Sequence, residues 1–262
     1  MNKHLIKISR SPHLRSIFRK LKLHCVYNAW LNAFPRIRKK NGIVYRSKRT
    51  EGVSLAIEVM EGGNCYELDL LPDSIQTFAD IGCNVGYFAC HLATKYGKGI
   101  AGVMIDANQN VIDEANWHKT ANQLNSVHVL KGIVGSDSDS FYVFEADTCS
   151  TAELGPAQER DKKRFHQIKS NLINFSAEWR KEMGWCKCDV LKIDIEGAEM
   201  KFLKDNQEFL QLVENIFIEW HKYKVSFEEM NAFLESKGFK LVKIIEDIGL
   251  NGTALYKRQN RH

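Results

Sequence analysis

Three short stretches of the chain carry residue types that could hold and act on a ligand. The first is Asp80-Ile81-Gly82-Cys83-Asn84-Val85-Gly86, where two glycines stand four apart at the end of an apolar run. Lacking a Cβ, Gly82 and Gly86 permit a tight turn whose backbone can approach a ligand closely. A helix that follows such a turn aims free N–H groups and a partial positive charge at an anion. The second is Asp106, at the end of the next apolar run, where a carboxylate can accept from both hydroxyls of a ribose. The third is Lys192-Ile193-Asp194-Ile195-Glu196-Gly197-Ala198-Glu199, which sets carboxylates where another apolar run meets a glycine.

These residues can act together only if the chain brings the ends of several strands to one edge, and from residue 75 its rhythm does so. Short apolar runs at 75–81, 100–105, 127–130, 190–193 and 216–220 read as strands. Helical stretches at 86–96, 110–122, 198–212 and 227–237 lie between or after them, and Gly97, Gly99 and Gly238 mark helix ends. Candidate final strands follow at 239–245 and 253–256. Alternation of this kind predicts an α/β fold with a largely parallel sheet and helices on both faces, and the late helix followed by two strands suits a Rossmann-like seven-stranded methyltransferase sheet, whose last strand is antiparallel. Ligands of open α/β sheets bind beyond the carboxyl ends of strands, at the point where strand order reverses. An extra short strand is expected at 141–144, and 145–187 reads as a polar, partly helical insertion without a clear strand, covering the site.

On these residues the expected ligand is S-adenosylmethionine. Gly82, Asn84 and Gly86 form the turn for its carboxylate, Asp80 accepts from its ammonium, and Asp106 accepts from its ribose. Each feature alone has a plainer reading: a tight turn at Gly82, a helix cap at Asp106, and a cap at Asp194 or Glu196. A nicotinamide dehydrogenase would need Gly-x-Gly-x-x-Gly, and Asn84 occupies the middle position here. A nucleic-acid methyltransferase is an alternative, but neither Asn/Asp-Pro-Pro-Tyr/Phe nor Pro-Cys occurs, so nucleic acid is not the expected partner. A nucleotide-binding module without methyl transfer is a further alternative.

Asp80-Ile-Gly-Cys-Asn-Val-Gly-Tyr-Phe88 and Leu191-Lys-Ile-Asp-Ile-Glu-Gly-Ala-Glu199 resemble the two signature segments of the FkbM methyltransferases. Ile218-Glu219-Trp220-His221 resembles the Glu-x-His that ends a later strand in that family. The resemblance implies methyl transfer to a hydroxyl oxygen of a sugar, glycan or related natural product. It also marks two departures: the ribose-binding acid is Asp106 where the family usually has Glu, and 171–179 has no counterpart of a Leu-Asp pair. Transfer from a sulfonium is an in-line displacement in which positioning does much of the work. A hydroxyl acceptor must also lose its proton, so His221, Asp194 and Glu196 are the candidate catalytic residues, with His221 or Asp194 as base. A divalent metal held by Asp194, Glu196 and His221 is a second way to the same end.

Charge divides the chain. Residues 1–50 hold 14 of the 37 Lys and Arg and none of the 32 Asp and Glu, so a basic arm adjoins an acidic body. Residues 1–74 are expected to form a basic N-terminal extension and 75–262 the methyltransferase domain. Ser11-Pro12 opens an expected amphipathic helix with Leu14, Ile17, Phe18 and Leu21 on one face, continuing through Val26, Trp30 and Phe34 until Pro35 and Gly42 break it. Short extended segments are expected from Leu55 to Leu71. The arm suits contact with an anionic membrane surface; docking on the acidic body or on a second subunit, and a mitochondrial transit peptide, are its rivals. The seven scattered cysteines suit free thiols in a reducing cytoplasm, with peripheral attachment at the inner membrane face.

Overall fold

The computed structural model describes residues 23–62, 65–137, 139–144, 152–154 and 165–259. The amphipathic helix expected from Pro12 lies outside them. Helix α1 (Leu23–Ala33) stops just short of Pro35, as the restriction on residues preceding proline requires. Strands β1 (Arg36–Lys40) and β2 (Ile43–Ser47) then pair antiparallel, Lys40 opposite Ile43. Asn41 and Gly42, at φ +47° and +82°, make the two-residue left-handed turn whose twist matches a hairpin.

The hairpin is fastened to the acidic body. Asn122 donates to the Val44 carbonyl at 2.7 Å and accepts from its N–H at 2.6 Å. Arg46 gives Glu114 two bonds of 2.9 Å and lies 3.9 Å above the Trp117 ring. Lys48 also pairs with Glu114. The described end of the basic arm thus docks on the body, while Val26, Trp30, Phe34 and Ile37 remain exposed.

Residues 50–60 form a helix, α2 (Thr50–Met60), and Leu68–Leu70 a single 3₁₀ turn, in place of the expected extended segments. Val53, Leu55, Ile57 and Val59 alternate as a strand would. The buried residues are Gly52, Ala56, Val59 and Met60, so packing at the helical period overrides that alternation.

The main sheet is built from β3 (Thr77–Ile81), β4 (Ala101–Asp106), β5 (Val127–Lys131), β9 (Cys188–Ile193), β10 (Val213–His221), β11 (Phe239–Ile248) and β12 (Asn251–Arg258). Its order is β11-β12-β10-β9-β3-β4-β5. Strand β12 runs antiparallel to both neighbours, and all other pairings are parallel. The connecting helices are α3 (Tyr87–Tyr96), α4 (Gln109–Asn122), α5 (Phe175–Met183), α6 (Glu199–Asp205), α7 (Gln207–Leu210) and α8 (Phe227–Ser236). Strand side chains alternate between two apolar clusters, Phe78, Met104, Val190 and Phe217 in one and Ala79, Ile105, Leu191 and Ile218 in the other. This double-sided burial is what a mostly parallel sheet between helices demands.

Two expected elements differ. The helix foreseen over 198–212 is divided at Asn206, whose side-chain oxygen accepts from the backbone and hydroxyl of Ser176. Within the insertion, β6 (Ser140–Phe144), β7 (Ala152–Leu154) and β8 (Phe165–Lys169) form a small antiparallel sheet in the order β7-β6-β8, where no clear strand was expected after residue 145. Their segments are short and partly polar, and only pairing with β6 supplies the missing backbone partners. Among the described residues no helix is long and apolar enough to cross a membrane.

Candidate active site

The sheet delivers four adjacent strand ends, those of β10, β9, β3 and β4, to one edge. At the end of β3 the chain enters a turn in which Gly82, Asn84 and Gly86 all take positive φ, +77°, +49° and +82°. Gly82 cannot be replaced without disturbance: a Cβ there would lie 1.8 Å from the carbonyl oxygen of Asp194. The turn is held from both sides. Gly82 and Cys83 donate to the Ile105 carbonyl at 3.0 and 2.9 Å, and Asp194 N donates to Ile81 O at 3.0 Å.

Asp106, at the tip of β4, braces the same turn. One carboxylate oxygen accepts from Asn84 N at 3.0 Å and the other from Asn108 N at 2.9 Å. Burial raises its pKa, and these two bonds oppose the rise. A carboxylate offers about four lone-pair positions, so acceptor capacity remains after two backbone bonds.

Asp80 is fully buried, and neither of its oxygens accepts a hydrogen bond. It lies opposite Lys192 in the β3–β9 register, with the ammonium 3.3 Å away. Burial raises the Asp80 pKa to about 6 against the pull of Lys192. Burial would lower that of Lys192, but Asp80 and Asp194 together carry it above its ordinary value. Lys192 also donates to the Gly82 carbonyl at 2.5 Å and stands 3.5 Å from Asp194. Sealed from solvent, Asp80 thus reaches the glycine turn through Lys192.

The third group gathers about His221, buried at the end of β10. Its Nδ1 is 2.9 Å from Glu199, and its Nε2 is 3.2 Å from Glu196 and 3.9 Å from Glu219. Glu199 is fully buried and also accepts from Gly197 N at 2.9 Å and Ile195 N at 3.3 Å, which folds the loop between β9 and α6 around it. Glu199 therefore takes the loop-capping role that was open to Asp194 or Glu196, and Ala198, which makes no side-chain cap bond, is the N-cap of α6. Within that loop Glu196 and Gly197 hold positive φ, +54° and +95°.

Burial alone would lower the His221 pKa, but its bonds to Glu196 and Glu199 raise it to about 11. As placed, the ring is held toward its protonated form, which opposes the general-base role expected of it. Burial and then Asp194 raise Glu219 to about 8, against the opposing effect of His221 and Lys192. The structure thus brings Asp194, Glu196 and His221 together as expected, and adds three residues not foreseen in the site: Lys192, Glu199 and Glu219. All three lie inside the motifs already read, two or three positions from a selected residue, with strand alternation as the available signal for Lys192 and Glu219.

A family model described as the Methyltransferase FkbM domain matches residues 80–241. The chain belongs to the FkbM methyltransferase family. It is 32% identical over 208 residues to Methyltransferase sdnD of Sordaria araneosa, covering 69% of this chain and 79% of that one. A local match, 30% identical over 107 residues, joins it to an Arabidopsis thaliana protein named "Probable RNA methyltransferase"; it covers 35% of this chain and 33% of that one. Among solved structures, the Methanococcus jannaschii fibrillarin pre-rRNA processing protein superposes with a TM-score of 0.51 at 14% identity, over 87% of this chain and 84% of that one. That likeness concerns the fold, an α/β architecture with a mostly parallel seven-stranded sheet.

Proposed function

We propose that this FkbM-family chain transfers the methyl group of S-adenosylmethionine to a hydroxyl oxygen of a sugar, glycan or related natural product. The observation that carries this reading is the contact between its two halves. The glycine turn packs against the Asp194 carbonyl, so a cofactor on the turn lies beside the carboxylates of β9 and β10. In this reading the turn at Gly82, Asn84 and Gly86, with the start of α3, holds the methionine carboxylate. The remaining acceptor positions of Asp106 hold the ribose. Asp80 and Lys192 keep the turn in shape from below.

Deprotonation of the acceptor falls to Asp194, whose side chain is partly exposed, 29%, at the sheet edge. His221, held by Glu199, fixes Glu196 beside it. The acceptor oxygen attacks the methyl carbon as the carbon–sulfur bond breaks, its proton passes to the base, and S-adenosylhomocysteine leaves.

The test pairs binding with transfer. Calorimetry should show S-adenosylmethionine binding and no NAD binding. Protein incubated with cofactor carrying a labelled methyl group should label glycan or lipid-linked sugar extracts. RNA in the same assay addresses the alternative raised by the local match; labelled RNA with unlabelled glycans would replace the present reading. For the basic arm the proposal is peripheral contact with anionic lipid, supported by exposed Val26, Trp30 and Phe34 beside the basic β1. Full-length protein should float with anionic vesicles, and a chain starting near Glu51 should not.

A further inference from the structure

We propose that Asp194, Glu219 and His221 form a binding site for a divalent cation of the Mn²⁺ class. One donor atom from each residue lies within 4.8 Å of the other two, at the ends of neighbouring strands β9 and β10. Cis ligands of a six-coordinate ion at about 2.1 Å are about 3 Å apart, so small side-chain rotations close the three donors on an ion.

A second observation, independent of the cluster, is the way His221 is aimed. A metal-binding histidine almost always gives its other ring nitrogen to a carboxylate, which fixes its orientation. Here Glu199 does this: fully buried and pinned by two backbone N–H groups, it takes Nδ1 at 2.9 Å and turns Nε2 toward Glu196 and Glu219. Its other oxygen is buried without a hydrogen-bond partner. A neutral loop histidine needs no such support. Asn251 performs a similar service for Glu219, donating to Oε1 at 2.7 Å.

Charge points the same way. Asp194, Glu196, Glu199 and Glu219 surround a single imidazole, and the nearby Lys192 is shared with Asp80 and the Gly82 carbonyl. A dication at the partly exposed mouth of this cluster answers that excess. One imidazole with two carboxylates is a mixed donor set that suits Mn²⁺ better than Ca²⁺. Binding displaces the proton that Nε2 shares with Glu196, 3.2 Å away, and Glu196 then swings aside or becomes a fourth ligand. Three protein donors leave coordination positions open, and an acceptor hydroxyl would occupy one; this last point alone rests on the methyl-transfer reading.

The experiment titrates Mn²⁺ into the full-length protein, with free ion followed by electron paramagnetic resonance and heat by calorimetry. One Mn²⁺ per chain is expected. Asp194→Asn and Glu219→Gln should each weaken it at least tenfold, and Glu199→Gln by about 10- to 100-fold, the usual cost of losing a carboxylate that orients a ligand. Glu208→Gln, at an exposed position of α7 that pairs with Arg180, should leave it unchanged. S-adenosylmethionine titration without metal checks that each variant is folded and tests the cofactor reading separately. Absence of binding at millimolar Mn²⁺ in protein that binds S-adenosylmethionine overturns the cation site alone. Mn²⁺ binding that survives both ligand substitutions overturns it as well.

Discussion

Replacing Gly82 by alanine attacks the point where the two halves of the site meet. The residue has φ +77°, and placing a Cβ-bearing residue in the left-handed region costs about 1–2 kcal/mol. The new Cβ would stand 1.8 Å from the Asp194 carbonyl oxygen and 2.9 Å from its carbon. Both are backbone atoms, so no rotamer change relieves the contact. Retreat of the Asp194 segment would break its bond to Ile81, and retreat of the turn would break the bonds to Ile105. Overpacking of this kind costs about 1–3 kcal/mol and a lost backbone bond about 1 kcal/mol. The sum, about 3–6 kcal/mol, is a large part of the 5–15 kcal/mol that is typical of folded domains.

Gly184→Ala supplies the control. It has φ +62° and nothing within 4 Å of a Cβ, so only the backbone strain of about 1–2 kcal/mol applies. Urea unfolding of both variants should place Gly82→Ala about 2–4 kcal/mol below Gly184→Ala. Calorimetry should show weakened S-adenosylmethionine binding only in the former. Equal stability of the two variants, with unchanged cofactor affinity in Gly82→Ala, would refute the argument that the turn is wedged against Asp194.

Asp106→Ala should weaken cofactor binding, because two charge-assisted bonds worth roughly 1.5–3 kcal/mol each are lost before compensation; unchanged affinity in a folded variant would remove the ribose assignment. Asp194→Asn should lower turnover by about 10²- to 10⁴-fold while S-adenosylmethionine affinity changes little, and full turnover would end its role as base. His118 is buried, with its pKa pushed down to about 4, first by burial. Its folded pKa lies below the unfolded value of 6.5, so the unfolded chain takes up the extra proton as pH falls from 6.5 to 4. The stabilisation is complete above pH 6.5 and lost toward pH 4. Urea midpoints should therefore fall more steeply over that window in wild type than in His118→Gln, and parallel curves would contradict this.

Local sequence determined most of the frame. Strand, glycine turn and helix follow one another from residue 75 because apolar runs, periodicity and glycines are short-range signals, and the two signature segments carried the family. The Asn41-Gly42 hairpin was also locally written, since this pair favours the left-handed two-residue turn, although Gly42 can equally be read as a simple breaker. Residues 53–59 show the limit of such signals. Their alternation fits a strand, and only the surface available to bury Ala56, Val59 and Met60 makes them a helix.

The chemistry of the site was decided further from the local sequence. Asp194, Glu196 and His221 could be named from their positions at strand ends, but not the shift of His221 toward its protonated form. That depends on Glu199, 22 residues away, meeting its ring across the β9–α6 loop. Asp80 has the residue type of a ligand contact, yet strand register sets it opposite Lys192 and seals it from solvent. Sequence specifies which groups arrive at the sheet edge, because strand ends are local features. Tertiary structure decides their charges, because burial and the distance to a counter-charge arise only when distant strands are brought side by side.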